Sequence, residues 1–301
     1  MKISGKPRRW WWMIAASVLL LSACSQDSSF SAEHIHGFAY AADGSRLLIA
    51  THDGLYSYQN GQWSGPIGEP FDLMGFSLTE KAIYSSGHPA EGSDKPNPLG
   101  LIKSTDEGKT WKTLDFEGQS DFHNMTAGFQ TDTLYVMNEQ PNPKMGQGFH
   151  VSLDGGETWR PVALDGLEGK LLSLEAHPTR EKTIALGTDT GLFISKDAGN
   201  LVTMIDGDMQ VTALLFDRKK PDLLWVGGYT DRPVLSRYDL KNRKSESIRL
   251  PLEDREDAVQ FIAQHPQKPD TVAIATFKKH VFISQDGGRN WKQIVKEGES
   301  L

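Results

Sequence analysis

With 301 residues, 38% of them hydrophobic and 24% charged, the chain can bury a large core and is neither a disordered tail nor a multi-span membrane protein. Its 29 Gly and 15 Pro follow no collagen period, and a single Cys excludes disulfide stapling and paired-thiolate zinc sites. The formal charge of −7, more negative still without Lys2, Lys6, Arg8 and Arg9, argues against nucleic acid as a partner.

The first residues read as an address. Lys6-Pro7-Arg8-Arg9 is a basic start, and the apolar run from Trp10 to Leu21 is too short for a comfortable membrane span. Leu21-Ser22-Ala23-Cys24 then places small residues before the sole cysteine and resembles the bacterial lipobox. That resemblance implies a signal peptide over 1–23, lipidation of Cys24, and a protein held on the membrane of the cell envelope, facing outside the cytoplasm. Residues 24–33 read as the lipidated Cys and a polar tether, and residues 34–301 as one domain, expected to be a monomer.

Repeats set the fold. The pattern S-x-D-x-G occurs at Ser104, Ser152, Ser195 and Ser284, spaced 48, 43 and 89 positions apart, with Trp111, Trp159 and Trp291 closing three of the four copies. The last spacing is about two units long, and Gly54-Leu55-Tyr56-Ser57 before Trp63 is a worn copy 47 positions ahead of Ser104. Units of this period predict an all-β propeller of six four-stranded blades, with seven as the alternative. In the fourth unit the strands are expected at 171–176, 183–187, 191–195 and 201–205.

The repeated motif is expected to be structural. Asp106, Asp154, Asp197 and Asp286, with the preceding Ser, can bond local backbone N–H groups, the Gly permits positive φ, and the Trp packs between sheets. His177 and His265, each before Pro, are read as turn residues on the same lower face.

On the opposite, upper face the chain is uneven. Aligning first strands puts His34-Ile35-His36-Gly37 over Asp72-Leu73-Met74-Gly75 and Asp121-Phe122-His123-Asn124, and then over Lys170/Leu172, Gln210/Thr212 and Ala258/Gln260. One ring around the axis should therefore hold His36, Met74 and His123, with His34, Asp72 and Asp121 above it. Loops after second strands add His52, His88 and Glu139, and two of these loops, 87–100 and 138–148, are long. Imidazoles with carboxylates suit zinc or copper, and the thioether of Met74 favours Cu(I). A hydrogen-bonded polar lining is the other reading, and residue spacing does not separate the two.

The repeats resemble the BNR/Asp-box propeller superfamily, which includes sialidases, sortilin-type receptors, xyloglucan hydrolases and photosystem II assembly-factor-like proteins. His-Ile-His-Gly, Asp-Leu-Met-Gly-Phe, Ser-Gly-His-Pro and Asp-Phe-His, with the lipobox, are similar to bacterial lipoproteins described as glycosyl-hydrolase-like. The resemblance implies the fold and leaves activity open. A sialidase arginine triad is not supported, since no Arg lies between Arg46 and Arg160 and only Arg232 and Arg255 reach upper connections. A glycosidase would draw its acid and base from Asp72, Asp121 and Glu139. The function expected first is ligand binding at this face, with a transition metal as one candidate ligand beside another polar ligand, followed by a glycoside hydrolase and by a protein-interaction scaffold.

Overall fold

The computed structural model describes residues 1–2 and 29–301, so the signal peptide and Cys24 lie outside the described residues. The described chain is all-β, built from six sheets in sequence order, each a four-stranded antiparallel meander except the sixth, which has five strands. This is a six-bladed propeller. First strands are Ile35–Tyr40, Asp72–Leu78, Met125–Ala127, Leu171–Ala176, Gln210–Phe216 and Val259–Gln264. In the fourth blade the strands fall at Leu171–Ala176, Ile184–Thr188, Gly191–Ser195 and Val202–Gly207, within one or two residues of the periodicity's prediction.

The core lies between consecutive blades, because each sheet is apolar on both faces at its inner strands. Leu48, Ala50 and Leu55 of blade 1 pack against Leu73, Leu78, Ile83 and Ile102 of blade 2, and the same layering recurs around the ring.

The S-x-D-x-G hairpins join strands three and four of blades 2, 3, 4 and 6. In each, the Ser Oγ accepts the Gly N–H at 2.8 Å. The Asp Oδ1 accepts the backbone N–H four residues on, at 2.9–3.0 Å. Gly108 is at φ 87, and a Cβ there would lie 2.3 Å from Leu55 Cδ2 of the preceding blade. The hairpin thus presses each blade onto its neighbour, and its polar groups are used up in doing so.

Ring closure uses residues within the stretch read as tether. Ala32 N donates to Gly298 O at 3.0 Å, Ser300 N donates to Phe30 O at 2.9 Å, and Ser31 bridges Glu299. Residues 30–32 therefore form the outer edge of the sixth sheet, although they lie within the stretch 24–33 read as a tether. Phe30 is fully buried, stacked on Trp63 with centroids 4.2 Å apart and set edge-on to Tyr56 at 5.3 Å.

Candidate functional site

The upper face is organised by irregularities in the first strands. In blade 1, Ile35 pairs with Thr51 and Gly37 with Ala50, which leaves His36 as the extra residue of a β-bulge. Bulges of the same kind fall at Leu172, Thr212 and Gln260. A bulged residue is re-aimed away from the pleat, and these four, with His123, line an axial cavity of about 150 Å³. In blade 2 the irregularity spans Met74 to Ser77, so Gly75 and Phe76 line the cavity, while Met74 is 8% exposed and is not among the lining residues. Gly75 is at φ 54 and its missing Cβ would sit 2.0 Å from Phe122 O, which lets the blade 2 and blade 3 strands converge near the axis.

Three side chains from blades 1 and 2 converge. His36 comes from the bulge, His52 follows the second strand Leu47–Thr51, and Asp72 opens the first strand of the next blade. Ligand atoms of all three lie within 4.8 Å of one another. His52 Nδ1 is 2.9 Å and His36 Nε2 3.9 Å from Asp72 Oδ1, and His36 Nε2 is 3.3 Å from each of the two ring nitrogens of His52. Asp72 Oδ1 is buried yet accepts no hydrogen bond, so its close contacts with imidazole lack donor geometry. Burial, reinforced by His52 and opposed by Asp72, holds the His36 imidazole down at about 4, with smaller contributions from His34 and His123 in the same direction as burial. His36 is therefore neutral at pH 7.

A second group stands beside it. Asp121 Oδ2 is 3.2 Å from His88 Nε2 and 3.3 Å from His123 Nδ1. His88 Nδ1 lies 2.6 Å from Asn97 Oδ1, a residue of the first long loop. The Asp121 segment is fixed from both sides. Phe122 N donates to Ser86 Oγ at 3.0 Å, and Ser120 Oγ donates to Asn138 Oδ1 at 2.8 Å. Asn138 in turn donates to the carbonyls of Met145 and Gly146 in the second long loop.

His34 is exposed and meets His52 edge-on at 5.0 Å, outside the converging set. Glu139 is exposed. Asp72 and Asp121 are each engaged by histidines rather than standing free as an acid and a base. Sequence reasoning did not single out Asn97, nor Glu175 and Arg218 deeper in the cavity. Burial pushes the Glu175 carboxyl up to about 7, moderated by Arg218 and by the Thr126 hydroxyl, which donates to Oε2 at 3.3 Å. An acid within the apolar strand Leu171–Ala176 was the available signal.

No family model and no curated protein matches the sequence. Among solved structures, a GH74 enzyme of Niastella koreensis superposes with a TM-score of 0.61 at 15% identity, covering 90% of this chain and 46% of that one. The extracellular domain of the BT4673 one-component system from B. thetaiotaomicron gives 0.55 at 13% identity, covering 92% of this chain and 35% of that one. YCF48 from Cyanidioschyzon merolae gives 0.51 at 12% identity, covering 89% and 85%. The chain spans less than half the length of the first two. At these identities the likeness is one of fold.

Proposed function

We propose that this protein is an extracytoplasmic, lipid-anchored propeller that binds a divalent transition-metal ion, zinc or copper, through His36, His52 and Asp72. The observation that carries the reading is the convergence of these three ligand atoms within 4.8 Å. Ligands held about 2.1 Å from a tetrahedral ion are about 3.4 Å apart. The contacts of 2.9, 3.3 and 3.9 Å bracket that spacing. Two imidazoles and a carboxylate leave a fourth position open toward the upper mouth, where water or a small ligand would complete the shell. Anchoring through Cys24 would hold this face outside the cytoplasm, as a monomer with no nucleic-acid partner.

The test is elemental mass spectrometry on residues 25–301, which retain the closed propeller, after loading with Zn²⁺ or Cu²⁺ and dialysis. At least one ion per chain is expected, with loss of an ion in the H36A/H52A double variant and an unchanged near-UV circular dichroism spectrum. Failure to retain either ion would overturn the reading.

A further inference from the structure

Blade 5 departs from the repeat on the lower face. Where blades 2, 3, 4 and 6 carry the S-x-D-x-G hairpin, its outer strands Pro233–Asp239 and Lys244–Ile248 are joined by the short turn Leu240-Lys241-Asn242-Arg243. The turn after its first strand is basic as well, reading Asp217-Arg218-Lys219-Lys220. In both turns the acids are used by the protein itself and the bases are left to solvent. Asp217 is buried, and its carboxylate accepts the N–H groups of Lys219 and Lys220 at 2.9 and 2.7 Å and the Gln264 amide at 2.8 Å. Asp239 accepts the N–H groups of Lys241 and Asn242. Lys219, Lys220, Arg243 and Lys244 are exposed and form no ion pair among the described residues. Asp222 pairs with Arg180 of blade 4 at 2.6 Å and with Lys241 at 2.7 Å, which joins the lower turns of blades 4 and 5 into one surface. One carboxylate shared by two cations leaves that junction positive too. These bases run against the formal charge of −7 carried by the whole chain.

The chain enters the ring from the same side. The fourth strand of blade 6, Lys292–Lys296, rises from its lower hairpin, Glu299–Ser300 descends antiparallel to it, and Ser31 pairs antiparallel with Glu299. Residues 30–32 therefore rise, and Phe30 is entered from below. Cys24 lies six positions ahead of Phe30, a separation that spans about 20 Å at full extension. An anchor at Cys24 would hold the lower side of blade 6, next to blade 5, within that distance of the lipid. A surface kept so close is favoured over a soluble polyanion, because the tether raises its effective concentration.

We infer that the lower face of blades 4 and 5 lies against an anionic membrane surface, with Lys219, Lys220, Lys241, Arg243 and Lys244 meeting lipid headgroup phosphates, so that the upper mouth opens away from the membrane. The inference rests on the anchoring read above and not on the metal. Each base near an anionic leaflet strengthens binding about 5-fold, and the attraction fades within a Debye length.

The test uses residues 25–301, free of the anchor and with no metal added. Vesicles of equal parts phosphatidylglycerol and phosphatidylcholine are compared with phosphatidylcholine alone. Co-sedimentation is expected with the anionic vesicles only, about 30-fold weaker in K219A/K220A and in R243A/K244A and lost at about 0.5 M salt, with circular dichroism checking the fold of each variant. Residues 25–301 contain no cysteine, so Asn242→Cys and Gln140→Cys each offer one site for an environment-sensitive dye. The dye at 242, on the lower turn, should respond to anionic vesicles, and the dye at 140, in the second long upper loop, should not. Binding that survives both double variants, or a response at 140 in place of 242, would overturn the inference. Equal binding to both vesicle types, or binding to neither, would do the same. Affinity for soluble polyphosphate without affinity for vesicles would assign the face to a soluble polyanion and equally overturn it. Lipidation of Cys24 is measured separately from the mass of the mature chain, so failure of the anchor and failure of this face are distinguishable.

Discussion

Replacing Phe30 by Ala tests whether the ring is closed by the segment that precedes the first blade. The substitution keeps the backbone bonds to Gly298 and Ser300 but removes a ring that is 0% exposed and stacked on Trp63. Truncating a buried Phe to Ala costs about 3–5 kcal/mol in transfer and cavity terms. An unfolding entropy of about 2.1 cal/mol/K per residue gives a domain of this size about 0.6 kcal/mol/K, so Tm should fall by roughly 5–8 °C. Phe30→Leu, which refills most of the volume, should cost less than half of that. Calorimetric scans of wild type and both variants at several scan rates measure it. A fall of under about 2 °C in Phe30→Ala would refute the closure, because a fully packed ring cannot be removed so cheaply. A chain begun at residue 31 lacks this ring and should show the same loss.

Three further outcomes follow from other parts of the molecule. Burial raises the Glu175 carboxyl from 4.5 to about 7, so the folded protein keeps a proton that the unfolded chain has released. Stability should accordingly be greatest below about pH 4.5 as far as this group is concerned and fall by on the order of 3 kcal/mol as pH rises through about 7. Glu175→Gln should flatten that slope in denaturant midpoints at pH 5 and pH 8, and an unaltered slope would show that the carboxyl does not titrate there. Gly108→Ala and Gly61→Ala both put a side chain at φ near 88, but the first Cβ meets buried Leu55 at 2.3 Å and the second meets nothing within 4 Å. The pair should therefore differ, with about 1–2 kcal/mol lost at Gly61 and a further 1–3 kcal/mol at Gly108; equal losses would mean that the hairpin does not press on the preceding blade. Ser86→Ala removes the hydroxyl that accepts the Phe122 N–H, and it should cost about 1 kcal/mol in the denaturant midpoint. A loss under a few tenths would show that Ser86 does not hold the Asp121 segment.

How far the sequence carries depends on which contacts are local. The blades were legible because each is a meander of neighbouring strands, and hydrophobic period together with the turn at each S-x-D-x-G hairpin fixes its register within a few residues. Blade 5 was legible only as a gap, since its hairpin between Asp239 and Lys244 replaces the Ser–Asp–Gly bonds by Asp239 accepting the N–H groups of Lys241 and Asn242. The candidate site was legible as a list of residues and not as an arrangement. His52 meets Asp72 and His88 meets Asp121 across blade boundaries, and those contacts depend on how far one sheet is rotated against the next. Asn97 was hidden because a long loop carries no period from which its return to His88 could be read.

The ring of axial residues shows where alignment succeeds for a reason it does not contain. Aligning first strands put His36, Leu172, Thr212 and Gln260 in one layer, and they do share a cavity, but as the extra residues of bulges rather than as positions of a regular strand. A bulge at the same height in four blades turns one residue per blade toward the axis while the flanking pairs keep the ladder intact. In blade 2 the irregularity falls one position later, which brings Gly75 and Phe76 to the cavity in place of Met74 and leaves Asp72 in register with His88. On a strand bulged like its neighbours the axial position would have fallen to Met74, the residue aligned with His36. The upper site therefore combines the bulged residue of blade 1, His36, with Asp72 at the paired head of blade 2.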